Sequence, residues 1–225
     1  MLRLSAFAAG LLLSAGAFAL SLSDLTQSDA SGGLKDALTQ GAQVAVQQLG
    51  KPGGFSNNEA VRIELPGKLG KAAKTMKKMG MGAQVEELEA GMNKAAEAAV
   101  PQAQAILVDA VKKMTLTDAK GILAGGEDSA TRYLDQSSRE QIRAKFLPIV
   151  KQATDKVGLA QQYNSFAGQA AALGVVDAKS ANVENYVTEQ ALDGLFKMIA
   201  EQEASLRQNP AGAATGLAKK VFGAL

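Results

Sequence analysis

The chain has 225 residues and a formal net charge of +2, and it contains no histidine, cysteine or tryptophan. Without histidine and cysteine it lacks the usual ligands of zinc, haem and blue-copper sites, and it can form neither a cysteine nucleophile nor a Ser-His-Asp triad. We therefore expect no metal and no cofactor. The nearly balanced charge gives no support to general nucleic-acid binding, so no nucleic-acid partner is expected either.

The first residues have the pattern of a cleaved signal peptide. Arg3 gives a short cationic start, Leu4 to Phe18 is uncharged and apolar, and Ala17 and Ala19 are the small residues that a signal peptidase reads. A buried first helix or a membrane anchor is the alternative, but the apolar run is shorter than the roughly 20 residues of a span. We expect residues 1–19 to be removed and the mature chain to be periplasmic. Without a cysteine it cannot be a lipoprotein.

The composition of the remaining chain favours helices. Alanine is abundant, aromatic residues are few and runs of β-branched residues are scarce. Polar residues interrupt every later apolar run, so no transmembrane segment is expected in the mature chain. Residues 20–33 are polar and are predicted to be a flexible lead-in. Residues 34–225 are predicted to form one all-α domain, a compact bundle of roughly nine helices.

Hydrophobic periodicity and capping signals place the helices. Thr115 with Asp118 and Ser138 with Gln141 have the spacing of N-terminal capping boxes. Asn182 is the predicted cap of the longest helix, whose wide apolar stripe indicates a central position. The predicted helices cover 34–49, 66–79, 83–99, 101–114, 116–123, a short stretch around 130–134, 138–157, 159–173, 182–208 and a last helix from 209 onwards.

Two features depart from regular helical pattern. Residues 61–65 alternate apolar and charged side chains and could form one short extended segment. No second strand is available to pair with it, so we predict no sheet. Pro148 lies inside a predicted helix, where a kink is expected.

Five sequence blocks resemble a family of exported Gram-negative proteins, the domain of unknown function four-one-nine-seven. The blocks are FSNNEAVRIELPGKL, ELEAGMNKAAEAAVPQA, MTLTDAKGILAGGEDSATRYL, KFLPIVKQATDKVGLAQQY and YVTEQALDGLF, at 55–69, 87–103, 114–134, 145–163 and 186–196. The resemblance extends over nearly all of the mature chain and implies an exported, all-helical bacterial domain. It implies no activity and no functional residues to transfer.

The second predicted helix is strongly basic on one side. Between Val61 and Met79 there are six basic side chains and one acidic side chain, and the lysines lie opposite a small apolar face of leucine, alanine and methionine. Such a helix can bind anionic phospholipid or an acidic partner. The alternative is a bundle helix whose solvent face is rich in lysine. The candidate binding residues are Arg62, Lys68, Lys71, Lys74 and Lys78.

Two other patterns have a functional and a structural interpretation. Met76, Met79 and Met81 could offer thioethers to Cu(I), but methionine is more often a flexible core residue. The turn from Gly125 to Asp128 precedes a helix and could bind an anion through backbone N–H groups. Its two acidic residues would repel phosphate, so a turn with capping acids is the better interpretation.

Glu86, Glu87 and Glu89, with Glu97 further along, form an acidic patch after the lysine helix. Paired carboxylates can perform acid/base chemistry. At the start of a helix they more often complement the helix dipole. An intramolecular pairing with the lysines of the second helix is also plausible and would be structural.

The leading functional hypothesis is a non-enzymatic helical binding or scaffolding module. Its basic face would meet an envelope protein or an anionic membrane surface. The first alternative is a carrier of a small molecule or lipid, which would require a deep apolar cavity between helices. The second is an enzyme that relies on carboxylate, lysine, serine or tyrosine groups, which would require converging buried carboxylates.

Overall fold

A computed structural model describes residues 25–78, 80, 82–156, 158–172 and 182–225. The predicted signal peptide lies outside the described residues. Two 3-10 turns, Val100–Gln102 and Pro210–Gly212, separate helices, and the described part of the chain contains no strand. The prediction of an all-α fold is therefore confirmed. The α-helices are α1 (Gln27–Leu49), α2 (Gly67–Lys78), α3 (Gly82–Ala99), α4 (Ala103–Lys113), α5 (Leu116–Leu123), α6 (Ser129–Lys156), α7 (Leu159–Ala172), α8 (Val183–Gln208) and α9 (Gly216–Phe222).

Helix α1 begins earlier than the predicted Leu34. The Thr26 side chain caps it by accepting a hydrogen bond from the Asp29 N–H at 3.0 Å. Gly32 and Gly33, at the end of the predicted lead-in, lie inside the helix. A Cβ atom on Gly33 would lie 2.5 Å from Val221 Cγ2, so these glycines allow α9 to approach closely. Residues 27–33 are thus helical rather than part of a flexible lead-in.

Two predicted caps, at Thr115 and Asn182, are confirmed. In each, the capping side chain and the N–H that it binds lie within one helical turn. Thr115 and Asp118 form the reciprocal hydrogen bonds of a capping box at the start of α5. The Asn182 side chain accepts a hydrogen bond from the Asn185 N–H at 3.0 Å at the start of α8.

The predicted cap at Ser138 is wrong. The short helix around Tyr133 and the following helix are one continuous element, α6, and Ser138 lies buried inside it. Its hydroxyl donates to the Leu134 carbonyl, the i−4 bond by which serine is accommodated within a helix. At 28 residues α6 is longer than the 26-residue α8, so the prediction that α8 is the longest helix is also wrong. Pro148 lies inside α6.

The last helix starts later than predicted. Pro210 begins a 3-10 turn, and α9 starts only at Gly216. Thr215 caps α9 by accepting a hydrogen bond from the Ala218 N–H at 3.0 Å. The predicted start at Asn209–Pro210 therefore marks the turn between α8 and α9.

Helices α6 and α8 pack together along the centre of the molecule. Helix α1 packs against α8, α9 and α4 on one side, and α3 packs against α6 and α8 on another. Helix α2 is peripheral and contacts α3 and α7. The largest fully buried side chains include Leu34, Phe55, Met92, Leu134, Phe146 and Tyr163.

The segment that leads into α2 is neither helix nor strand from Arg62 to Pro66. The buried side chain of Asn93 makes the two backbone hydrogen bonds that a neighbouring strand would otherwise make. Its Oδ1 accepts from the Ile63 N–H at 2.9 Å, and its Nδ2 donates to the Ile63 carbonyl at 2.8 Å. The Tyr186 hydroxyl donates to the Glu64 carbonyl at 2.7 Å. These bonds satisfy three backbone groups of the segment, the N–H and carbonyl of Ile63 and the carbonyl of Glu64, just before α2 begins.

Candidate anion-binding face

Helix α2 is bounded by two glycines with left-handed backbone conformations, Gly67 (φ +45°) and Gly80 (φ +84°). Residues with a side chain rarely adopt such angles, so glycine suits both ends of the helix. Leu69 and Ala73 are buried, with exposures of 1% and 2%. They form the inner face of a helix that packs on α3 and α7.

The opposite face of α2 carries a lysine row, which we define as Lys68, Lys71, Lys74 and Lys78. All four residues are exposed, and none forms an ion pair with a described residue. At 100° and 1.5 Å per residue the row lies within an arc of about 120° and extends about 15 Å along the helix. Four cationic groups therefore share one narrow strip of surface.

Arg62, the fifth predicted residue, is engaged within the protein. Its Nη2 lies 3.5 Å from Glu89 Oε2, and Lys77 Nζ lies 3.0 Å from the same oxygen. The Glu89 side chain is 6% exposed, so the two cations offset the cost of burying its charge. The predicted pairing between the acidic patch and the lysine helix is confirmed at Glu89. This pairing anchors α2 to α3 and leaves the lysine row facing solvent.

The remaining acidic residues of the predicted patch do not converge on Glu89. Glu86 and Glu87 are exposed, and Glu97 lies eight residues further along α3, a rise of about 12 Å. Glu97 Oε1 accepts hydrogen bonds from the Phe55 N–H at 3.1 Å and the Ser56 N–H at 3.2 Å. The patch is therefore divided between two structural positions and offers no carboxylate pair.

The N-terminus of α6 is capped by a residue from another helix. Glu203 of α8 accepts hydrogen bonds from the Ala130 N–H at 3.1 Å and the Thr131 N–H at 2.8 Å. Asp128, a predicted capping acid, instead pairs with Arg132 at 3.0 Å. The backbone N–H groups that could have bound an anion after the turn from Gly125 to Asp128 are thus bound by the Glu203 carboxylate. Sequence pattern could not identify Glu203, which lies more than 70 positions away.

Arg207 completes this buried cluster. It lies 3.0 Å from Glu203 Oε1, and its Nη2 also donates to Ser129 Oγ at 3.0 Å and to the Ile122 carbonyl at 3.3 Å. Its guanidinium carbon is 5.8 Å from the centre of the Phe222 ring, within the range of a cation–π interaction. The cluster connects α5, α6, α8 and α9, and its role is structural.

A second ion-pair network links α6 and α8 at the surface. Arg139 contacts Glu189 at 3.0 Å and Asp193 at 2.6 Å, and Arg143 contacts Glu189 at 2.6 Å. Burial alone would raise the pKa of Glu189, but hydrogen bonds from Arg143 and Arg139 lower that pKa below its ordinary value. Glu189 therefore stays ionised at neutral pH and holds the two central helices together.

Two side-chain hydroxyl groups are buried in the core without a partner in the described part of the chain. The Tyr163 and Thr188 hydroxyls are enclosed and have no hydrogen-bond partner among the described residues. Burial raises the pKa of Tyr163. Burial, with smaller contributions from Tyr163 and Glu64, raises the pKa of Tyr186 to about 12. The phenol groups of Tyr163 and Tyr186 are therefore neutral at physiological pH.

A family profile described as "Protein of unknown function (DUF4197)" matches residues 24–223. The chain belongs to this family. The resemblance carried by the five sequence blocks is therefore confirmed. Neither the curated proteins nor the solved structures contain a match to the chain.

Three depressions in the surface of this DUF4197 protein are relevant to the alternative hypotheses of a small-molecule or lipid carrier and of an enzyme. A cleft of about 440 Å³ between α3 and α7 is lined by glutamine side chains, Glu87 and Ser165 above Leu88 and Phe166. A shallow pocket of about 400 Å³ lies between the loop after α1 and α3. The apolar pocket between α1, α8 and α9 measures about 10 Å³, which is too small for a lipid chain.

The described ranges hold no group of three or more acidic residues that could bind a metal ion. Met79 and Met81 lie outside these ranges, as does the side chain of Met76, so the copper hypothesis concerns residues that the structure does not place. No helix in the described part of this DUF4197 protein has the length and apolar character needed to cross a bilayer.

Proposed function

We propose that this DUF4197 protein is an exported, non-enzymatic module that binds an anionic phospholipid surface through the lysine row of α2. The supporting observation is the row itself. Lys68, Lys71, Lys74 and Lys78 are exposed on one strip and have no ion-pair partner among the described residues. The neighbouring cations Arg62 and Lys77 are paired with Glu89, which keeps α2 in place on the bundle.

The mode of binding follows from the other face of α2. A helix that inserts into a membrane must present apolar side chains to the lipid. Leu69 and Ala73 are buried within the protein's own core, so they are not available for insertion. Binding is therefore peripheral and electrostatic, with the lysines at the level of the phosphate groups.

A lipid surface fits this face better than a folded protein partner does. Energetically important positions of protein interfaces are enriched in tryptophan, tyrosine and arginine, and lysine is depleted at such interfaces. The exposed face of α2 presents the four lysines and Thr75, without an aromatic residue. A dense row of phosphates requires only complementary charge, which the lysine row provides.

The strength of the interaction depends on salt. Each lysine near an anionic leaflet contributes about 1 kcal/mol, so four together give about 4 kcal/mol, or roughly a thousandfold in affinity. The Debye length is about 8 Å at physiological ionic strength and about 3 Å at 1 M. Binding is expected at low salt and is expected to disappear at high salt.

The proposal includes export, for which the support is the sequence of the first 19 residues. Arg3, the apolar stretch from Leu4 to Phe18, and Ala17 with Ala19 match a cleavable signal. Intact mass of the protein from a periplasmic extract tests this part. A mass that includes Met1 would exclude cleavage.

Co-sedimentation with phosphatidylglycerol vesicles tests the lipid proposal. The test variant carries glutamine at Lys68, Lys71, Lys74 and Lys78, because glutamine removes the charge and keeps a similar helix propensity. The matched control carries glutamine at four other exposed lysines, Lys112, Lys120, Lys219 and Lys220. Both variants have the same net charge. We expect the wild type and the control to sediment at low salt and the test variant to remain in the supernatant.

Each alternative outcome has a definite meaning. If wild type stays in the supernatant at low salt, the lysine row is a solvated face and the lipid proposal is wrong. Equal losses in both variants would indicate a net-charge effect without a localised site. Circular dichroism of the test variant should match that of the wild type, because Leu69 and Ala73 are unchanged.

A further inference from the structure

Glu97 is a buried carboxylate with an unusual set of partners. The residue is 7% exposed. One of its oxygens, Oε1, accepts three hydrogen bonds, from the Phe55 N–H, the Ser56 N–H and Ser56 Oγ, at 3.1 to 3.2 Å. These donors are neutral, and no cation among the described residues forms an ion pair with Glu97.

The two other buried acidic residues of the described chain do have cationic partners. Glu89 is paired with Arg62 and Lys77, and Glu203 is paired with Arg207 while both of its oxygens accept further hydrogen bonds. A carboxylate removed from water is costly unless a cation or several hydrogen bonds compensate its charge. Glu97 thus differs from the others in lacking a countercharge.

The second oxygen of Glu97, Oε2, is not fully enclosed. It accepts no hydrogen bond from a described residue, yet among the described residues only the Tyr163 and Thr188 hydroxyls are fully enclosed polar side-chain atoms without a partner. Glu97 lines the pocket of about 400 Å³ that the loop containing Pro52, Gly53 and Ser56 forms with α3. A cation that enters this pocket can therefore reach Oε2.

A second charge lies on the rim of the same pocket. Lys94 is exposed, precedes Glu97 by about one helical turn and lines the pocket. It forms no ion pair with Glu97 or with another described acid. The pocket therefore offers an anionic group at its wall and a cationic group at its edge, on neighbouring turns of one helix.

We propose that this pocket binds a small zwitterion, an α-amino acid or a dipeptide, whose ammonium group meets Glu97 Oε2 and whose carboxylate meets Lys94. The volume falls in the lower part of the range of small-molecule sites, about 300–1,000 Å³. Hydrogen bonds to a charged carboxylate are stronger than those between neutral groups. The Glu97 carboxylate is already fixed by its donors, so binding does not have to order it. This site is independent of the lysine row.

The test uses the mature protein and L-alanyl-L-alanine as the probe, with two-dimensional amide NMR as the readout. The Phe55 and Ser56 amides donate to Glu97, so their resonances report directly on that carboxylate. We expect saturable shifts of both resonances. N-acetyl-L-alanyl-L-alanine, which has no ammonium group, should cause no such shift. Glu97→Gln, which keeps an acceptor oxygen and loses the charge, should weaken binding at least about tenfold.

Three results would overturn the proposal. These are no shift with the dipeptide at millimolar concentration, an equal shift with the acetylated probe, or unchanged affinity in Glu97→Gln. Lys94→Gln should weaken binding several-fold, and tighter or equal binding would overturn the part of the proposal that places the ligand carboxylate on Lys94. The variant with glutamines in the lysine row should bind the dipeptide as wild type does, which keeps the two proposals separately testable.

Discussion

Glutamate performs three different tasks in this protein, depending on what surrounds it. Glu89 is neutralised by two cations, Glu203 caps a helix and pairs with Arg207, and Glu97 holds a loop through neutral donors. All three residues are buried. Because a buried charge must be compensated, the identity of its partners decides the role of each residue.

The Glu203 cluster gives the clearest prediction at the residue scale. Glu203→Ala leaves Arg207 without its countercharge and removes the cap of α6, so it should lower the free energy of unfolding by about 3–5 kcal/mol. Urea denaturation followed by circular dichroism measures this. The control is Asp109→Ala, which breaks an exposed pair with Lys113 and should cost less than about 1 kcal/mol. Equal effects would contradict a structural role for the cluster.

Single residues could be predicted from sequence where their partner is near in the chain. Thr115 and Asn182 were predicted as caps, and in the structure the side chain of each accepts a hydrogen bond from the N–H three residues later. Ser138 has the same local pattern and is not a cap, because Leu134 and its neighbours pack so that the helix continues through it. Local pattern cannot distinguish these cases, since the deciding contacts come from other helices.

At the scale of elements, α2 shows what amphipathic pattern can predict. Segregation of lysines from Leu69 and Ala73 predicted correctly which face is buried and which is exposed. It could not show which cations of the segment would be paired, and the structure shows that these are Arg62 and Lys77, both paired with Glu89 on α3. The binding function of the lysine row remains a prediction.

Helix contacts made through glycine can be tested by adding one carbon atom. In Gly33→Ala the new Cβ would lie 2.5 Å from Val221 Cγ2 and 2.7 Å from the Leu217 carbonyl oxygen. We expect a loss of about 1–3 kcal/mol, because α9 must shift away from α1. The matched control is Gly121→Ala in α5, where nothing lies within 4 Å of the new atom.

The control should stabilise the protein by up to about 1 kcal/mol, since alanine is the better helix former. Thermal unfolding of both variants measures the difference. A stabilised Gly33→Ala variant would mean that α9 does not pack on α1 as described.

At the scale of the whole molecule, all three tyrosines are shielded from ionisation. Burial raises the pKa of Tyr133, with a further contribution from Asp118, and it raises the pKa of Tyr163 and of Tyr186, the last to about 12. The folded state thus favours the neutral phenols. Their contribution to stability is fully present below the ordinary tyrosine pKa of 10.0 and is lost as the pH rises through the folded values.

A titration of phenolate absorbance measures this effect in the folded protein and in urea. We expect the folded protein to titrate at higher pH than the unfolded chain, and stability to fall between about pH 10 and 12. Coincident titration curves would show that the phenols are accessible, which would be incompatible with the packing of α7 on α3, α6 and α8.

The sequence by itself determined the all-α class, the absence of histidine and cysteine as ligands or nucleophiles, the local caps of α5 and α8, and the two faces of α2. Each of these depends on composition or on residues within about one helical turn. The tertiary structure alone decided that Glu203 caps α6, that Asn93 pairs with Ile63, that Gly33 admits α9 and that Glu97 borders a pocket. The partners in these contacts are separated by at least 30 positions. Only the packing of helices brings them together, and the periodicity of a single helix carries no information about what another helix places beside it.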